Sequence, residues 1–211
     1  MTKKLSFGRS RGFGITPVSA YTPDQLEKIG NAIIYLCERI KPLYKTKLLK
    51  LLYLLDEAGV REVGIPVLGL EYRVWKRGPV ARDVFIELSD SPDLLKDYIS
   101  VELNDNHTLV KAKRKFNDDE FSDRDLDLME RVVRQFGRMS AERLVRMVHS
   151  EEGLWYQAAK ANGLLELFEK DETNSSDVVI DLGQLVAKDE VKAFMHKEHQ
   201  EFQRVHRALK R

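Results

Sequence analysis

The sequence is poor in cysteine, in long apolar runs and in net charge, and each shortage excludes a class of protein. The single cysteine, Cys37, excludes an internal disulfide framework, and its place in an apolar helical pattern favours a buried thiol. No run of about 18 apolar residues is present, which argues against a membrane-spanning helix, and residues 1–20 lack the apolar core of a signal peptide. We therefore expect a cytoplasmic protein without a membrane partner.

Net charge is close to zero, because 35 basic residues oppose 34 acidic ones. No overall field directs the chain toward nucleic acid. Charge is informative only locally: residues 1–20 form a basic, glycine-containing segment that we expect to be a flexible tail, and residues 111–115 read KAKRK. The KAKRK segment is either a nucleic-acid contact or the solvated end of a strand.

Helix signals dominate the first quarter of the chain after the tail. Thr22, Pro23 and Gln25 form a complete helix start, with a capping box and a proline in the first turn. The next helix is predicted from Lys45 to residue 58, with Gly59 as its C-terminal cap, and its six leucines surround most of the helix circumference. We expect this helix to be central and buried.

Strand signals follow in two places. Alternating apolar residues predict a strand from Val67 to Trp75, and Gly78 with Pro79 then predicts a strand-to-helix turn. Residues 98–113 read as a β-hairpin. The expected fold class is α+β, mainly α-helical: a compact helical domain with a small antiparallel β-sheet or hairpin.

The second half of the chain is again helical. Ser122 and Ser140 each begin a helix, and a third helix carries Trp155 and is closed by Gly163. Residues 164–176 have the composition of a linker. We expect a flexible basic tail at 1–20, a folded domain at 21–163, and an extension at 164–211 with a short strand and a long amphipathic helix. The apolar residues of that helix are Ala187, Val191, Phe194, Phe202, Val205 and Leu209.

Residue patterns for catalysis or metal binding are weak. His149 precedes two glutamates, but no activated nucleophile is identifiable nearby. His196 and His199 are spaced as two metal ligands on a helix, yet no third ligand is evident. We expect no catalytic residues, no cofactor and no metal.

Three motifs occur in order: KLLKLLYLL at 47–55, WKRGPVARDVF at 75–85 and HSEEGLW at 149–155. Together they resemble the Panacea domain of antitoxins, a family that includes SocA-like proteins and phage-associated proteins of the GepA type. The resemblance covers residues 26–162. Leu49 and Phe85 depart from the family pattern, which more often has Gln and Tyr there, and these changes weaken any polar role at those positions.

The resemblance implies an antitoxin of a toxin-antitoxin system that neutralises a cognate protein toxin by direct protein–protein binding. The alternatives are an adaptor that delivers the toxin to a Clp-type protease, which the resemblance also suggests, and a nucleic-acid-binding regulator that uses the basic segments.

The motifs also supply candidate partner-binding residues. Trp75 is either a core aromatic residue or part of a turn that presents Lys76 and Arg77 to a partner. The C-terminal helix either packs on its own domain or adds contacts to the toxin. The complete candidate set is Lys47, Lys50, Tyr53, Trp75, Lys76, Arg77, His149, Trp155, Phe194 and Phe202.

Overall fold

The computed structural model describes residues 21–104 and 107–209, so the predicted tail at 1–20 lies outside the described residues. Its helices and strands confirm a mainly α-helical α+β fold. The two small sheets are antiparallel and have two strands each. In chain order the elements are α1 Pro23–Arg39, α2 Lys45–Val63, β1 Tyr72–Trp75, β2 Gly78–Ala81, α3 Arg82–Glu87, β3 Ile99–Asn104, β4 His107–Ala112, α4 Asp123–Phe136, α5 Ala141–Val148, α6 Leu154–Ala161, α7 Leu164–Glu169, a 3₁₀ helix Leu182–Val186 and α8 Glu190–Leu209.

Helix starts follow the sequence closely. Thr22 and Gln25 form the expected capping box at α1, and Ser122 caps α4 in the same way. The hydroxyl of Ser140 accepts a hydrogen bond from the Arg143 N–H at the start of α5. These caps were predictable because each depends only on side chains within a few residues of the helix end.

Helix α2 is the centre of the molecule, as expected. It contacts α4, α5, β2, β4, the 3₁₀ helix and α8. The predicted end at Gly59 is wrong, because α2 continues to Val63 and is capped by Gly64 at φ 84°. Gly59 instead allows close packing: a Cβ at this position would lie 2.7 Å from the carbonyl oxygen of Ile65.

The turn at residues 75–82 differs from the expectation. Gly78 and Pro79 do not begin a helix but lie in β2, which pairs with β1, and α3 begins only at Arg82. Lys76 and Arg77 turn the chain, and Gly78 has a φ of 100°. Pro79 is tolerated because β2 is an edge strand of this hairpin, where a missing N–H costs little.

The second hairpin, β3–β4, confirms the prediction for residues 98–113. It packs against α1 and is joined to the start of α2 by a hydrogen bond from the Val110 N–H to the Leu43 carbonyl at 2.9 Å.

The C-terminal segment runs back along β1. The predicted linker contains α7, with Leu164 and Phe168 buried. In place of a regular strand at 178–182, a single bridge joins Val179 to Arg73 on the free edge of β1. The 3₁₀ helix and α8 then pack on α2. The domain boundary after residue 163 stays a prediction.

Candidate functional site

The three sequence motifs meet around the side chain of Lys50. This residue lies on α2, is 1% exposed, and donates a hydrogen bond from Nζ to the Pro79 carbonyl oxygen at 2.7 Å. Gly78 makes this approach possible, since a Cβ there would lie 3.1 Å from Lys50 Nζ and 2.9 Å from Val148 Cγ2. The first motif therefore packs directly against the second, and the end of α5 closes over both.

The third motif is attached to the second through Trp155. Its indole N–H donates to the carbonyl oxygen of Trp75 at 2.9 Å. The imidazole of His149 stacks on the Trp155 ring with centroids 3.7 Å apart and planes 6° apart. On α7, Phe168 also stacks on Trp155, at 6.1 Å. Trp155 thus joins the β1–β2 turn to α7 and to the end of α5.

Trp75 connects this cluster to the C-terminal segment. Its ring meets Phe85 edge to face at 4.7 Å, and its N–H donates to the carbonyl oxygen of Ser176 at 3.2 Å. The Ser176 hydroxyl donates to the Val74 carbonyl at 2.6 Å. Since Trp75 is only half-buried, it combines a packing role with a surface position.

Charge is disfavoured at the centre of the cluster. Burial, together with the nearby Arg77 guanidinium, lowers the pKa of Lys50 to about 7. Burial and the Lys50 ammonium lower the pKa of His149 to about 4. In the described residues, neither side chain has a carboxylate as a hydrogen-bond partner, and His149 Nε2 is buried without a hydrogen-bond acceptor or donor. At neutral pH His149 is therefore an uncharged ring that packs against Trp155.

A second buried polar group, Asp56, lies six residues further along α2 and was missed by sequence reasoning. Its carboxylate accepts hydrogen bonds from the backbone N–H groups of Leu68 and Leu70, at 2.6 and 3.1 Å, and from the Tyr72 hydroxyl at 3.0 Å. Burial raises the pKa of Asp56 to about 6, although these donors oppose the shift. The signal in the sequence for this buried carboxylate was an acidic residue within a leucine-rich helix. Asp56 fixes the loop that leads from α2 into β1.

The structure separates the candidate partner-binding residues by burial. Lys50, Tyr53 and Trp155 are buried in the interior of the domain. Lys47 lies at an intermediate depth and donates to the Gly137 carbonyl oxygen at 2.7 Å, so its amine and that of Lys50 contact different parts of the fold. His149 is also half-buried.

The remaining candidates lie on two surfaces. Lys76 and Arg77 form the tip of the β1–β2 turn, where Lys76 pairs with Asp171 and Arg77 is exposed. Phe194 and Phe202 are exposed on α8. The candidate residues predicted from the sequence therefore lie in one buried cluster and at two separate surface positions, rather than in one site.

A cleft of about 620 Å³ lies between α2, α4 and the α5–α6 connection. Its floor is apolar and its rim carries charges of both signs. The floor includes Tyr53, Leu54, Leu128, Val132 and Met147, and the rim includes Glu57, Arg61, Glu62 and Arg131. Arg61 pairs with Glu57, and Arg131 pairs with Glu62 across the cleft. Of the candidate partner-binding residues, Tyr53 lines this cleft; the other floor and rim residues were not predicted from sequence, because the cleft forms between helices distant in the chain.

Three of the four cations of the KAKRK segment have partners within the protein. Lys111 pairs with Glu102 at 2.6 Å, Lys113 donates to a backbone carbonyl at 2.7 Å, and Arg114 pairs with Glu27. Two of the four charges thus lie beside carboxylates, while all four side chains are exposed, and the nucleic-acid alternative stays a prediction. Within residues 21–104 and 107–209, no group of three or more His, Cys, Asp and Glu side chains is placed to hold a metal ion. In the same part of the chain, no helix has both the length and the apolarity needed to cross a membrane.

The fold is a small α+β domain whose sequence motifs pack together in the interior and whose surface carries a cleft between α2 and α4. The comparison with protein families identifies this domain: residues 48–156 match the family described as antitoxin SocA-like, Panacea domain. Because this match covers more than half of the chain, the chain belongs to that family. No curated protein and no solved structure matches the chain.

Proposed function

We propose that this protein is an antitoxin that neutralises a cognate protein toxin by binding it directly in the cytoplasm, without catalysis. Membership of the antitoxin family is the observation that carries the proposal. The three family-like motifs contribute mainly to the core, since Lys50, Tyr53 and Trp155 are buried. A toxin would therefore contact side chains that reach the surface, including Ser150 and Glu152, two exposed motif residues that line the cleft described above.

The cleft between α2 and α4 is the docking surface that this proposal favours. It lies inside the family region, and its apolar floor with a charged rim suits an amphipathic helix or loop of a partner protein. Apolar anchors would enter the floor, while Arg61 and Arg131 would orient acidic groups of the toxin at the rim.

Co-expression with the product of the neighbouring gene tests the proposal. If that product stops growth, the intact chain is expected to restore it. Gln135→Trp places a large ring in the cleft from an exposed position and is expected to abolish rescue. Arg134→Trp is the matched control, because Arg134 is the preceding residue on α4, is exposed and does not line the cleft.

Folding of both variants is checked by circular dichroism and thermal melting. Rescue by the Gln135→Trp protein would contradict the cleft as the docking surface. Failure of the intact, folded chain to rescue would contradict the antitoxin proposal. A fall in toxin level that depends on a Clp-type protease would instead support the adaptor alternative.

A further inference from the structure

Helix α8 packs on its own domain with a polar face. The Nδ1 nitrogen of His196 donates a hydrogen bond to the Gly64 carbonyl at 2.8 Å, and His196 is buried. Lys192 donates from Nζ to the Arg61 carbonyl at 3.0 Å. Gln203 accepts a hydrogen bond from α1. The contacts that hold α8 in place are therefore mostly hydrogen bonds to other elements.

The opposite face of α8 is apolar and exposed. Val191, Phe194, Phe202 and Val205 are 72%, 60%, 63% and 48% exposed. At about 100° per residue, these four side chains lie within roughly 40° of Glu198 around the helix axis. His196 lies on the other side of the helix. This arrangement inverts the usual pattern, in which the apolar face is buried, and leaves the stripe largely uncovered within residues 21–104 and 107–209.

The spacing of the stripe is symmetric about Glu198. Phe194 and Phe202 lie four residues before and after it, and Val191 and Val205 lie seven residues before and after it. A helix whose pattern reads the same in both directions is complementary to an antiparallel copy of itself. We propose that the α8 stripe is a self-association surface, and that two copies of this chain pair through antiparallel α8 helices with a two-fold axis at Glu198.

In this pair each apolar residue meets an apolar residue. Phe194 lies beside Phe202 of the partner subunit, and Val191 lies beside Val205 of the partner subunit, as an isologous two-fold interface requires. Lys197 and Glu201 are exposed on the same edge of the stripe. The two-fold axis places this edge of one helix beside the same edge of the other, so Lys197 lies within about one helical turn of Glu201 of the partner subunit. That ion pair forms twice, and the antiparallel helix dipoles also favour the arrangement.

The size of the stripe sets the strength of the pair. Each phenylalanine has on the order of 100 Å² exposed, and with the two valines the pair buries about 800 Å² in total. Specific stable interfaces bury about 1,200–2,000 Å², so the dimer is weak and forms in the micromolar range or above. Glu198 faces Glu198 of the partner subunit at the axis, which weakens the pair further while fixing its register.

Sedimentation velocity over a concentration series tests the surface. The wild-type chain is expected to shift from monomer to dimer by about 500 µM. The double substitution Phe194→Ser with Phe202→Ser is expected to weaken dimerisation by more than about 100-fold. Leu103→Ser is the matched control, since Leu103 is 78% exposed on β3, away from α8; it is expected to leave dimerisation unchanged.

Two substitutions at the axis test the symmetry. Glu198→Gln removes the like-charge contact and is expected to tighten the dimer about threefold. A mixture of the wild-type chain with the Glu198→Lys chain, one of them isotopically labelled, is expected to form more mixed dimers in native mass spectrometry than random pairing gives. Only an interface that places residue 198 against itself has this preference.

Three results would overturn the proposal. The first is a wild-type chain that remains monomeric over the whole series. The second is dimerisation that the phenylalanine substitutions do not change, and the third is random pairing in the mixture. If the double variant loses toxin binding while the wild-type chain is monomeric, the stripe is a toxin-binding surface instead.

Discussion

The Lys50 ammonium lies in the protein core, where its hydrogen-bond partner is a backbone carbonyl rather than a carboxylate. Such a group destabilises the folded state whenever it is charged, because its desolvation is not offset by an opposite charge. The hydrogen bond from Lys50 Nζ to the Pro79 carbonyl oxygen nevertheless connects α2 to the β1–β2 hairpin. Lys50 therefore stabilises one arrangement of the motifs while making stability depend on pH.

The pH dependence follows from the lowered pKa of Lys50. The pKa of Lys50 is about 7 in the folded chain, whereas the ordinary pKa of a lysine, which applies to the unfolded chain, is 10.5. Since the unfolded state binds more protons between these values, the free energy of unfolding rises with pH by up to about 1.4 kcal/mol per unit in that window. Lys50→Met is expected to remove this rise.

Urea unfolding at several pH values between 7 and 10 measures the effect. Lys160→Met, which removes an exposed lysine of α6, is the control and is expected to follow the wild-type curve. A Lys50→Met curve parallel to wild type would show that Lys50 does not titrate in the core.

Gly78 is the second residue on which the cluster depends. Its φ of 100° is strained for any residue with a Cβ, and that Cβ would also press on Val148 and Lys50. Gly78→Ala is expected to reduce the free energy of unfolding by about 3 kcal/mol or more.

Gly163→Ala is a matched control for Gly78→Ala, because Gly163 has φ 66° but no atom within 4 Å of an added Cβ. It is expected to cost about 1 kcal/mol, from backbone strain alone. Chemical denaturation of both variants measures the difference. Equal losses would mean that the close approach of Lys50 and Val148 to Gly78 is unimportant.

At the scale of elements, local chemistry predicted helix starts better than helix ends and turns. Thr22, Ser122 and Ser140 cap helices with side chains that are close in sequence. Gly59 was misread as a cap. Its lack of a side chain instead lets the backbone of Ile65 pack closely against α2, and this tertiary contact is not visible in the local sequence. Pro79 was misread as a helix start because its extended conformation in β2 depends on pairing with β1.

Helix α8 is expected to be separable from the rest of the fold. It supplies hydrogen bonds to the last carbonyls of α2 from Lys192 and His196, but Leu182 and Val186 of the 3₁₀ helix remain if the chain ends at Asp189. Deleting residues 190–211 is expected to leave a folded protein that is less stable by about 2–4 kcal/mol.

Circular dichroism and thermal melting test this truncation. The truncated protein is also expected to remain monomeric and to retain binding at the α2–α4 cleft. Aggregation or loss of the folded signal would show that α8 is an integral part of the core.

At the scale of the whole molecule, the sequence predicted the family and the fold class but not the geometry of the site. The three motifs were visible in order, and they do converge around Lys50. Their burial was not predictable, since a lysine and a histidine in a motif are equally compatible with a surface site. Apart from Tyr53, the residues of the cleft were missed because its two walls are about 70 residues apart in sequence and become adjacent only on folding.

Isothermal titration calorimetry measures whether the protein binds a toxin directly. The purified chain is titrated with the purified product of the neighbouring gene, under conditions in which both proteins are shown to be folded. We expect a saturable complex of fixed stoichiometry with the wild-type chain and with Arg134→Trp, and its loss with Gln135→Trp. Absence of binding by the wild-type chain to a gene product that is toxic in cells would contradict direct neutralisation.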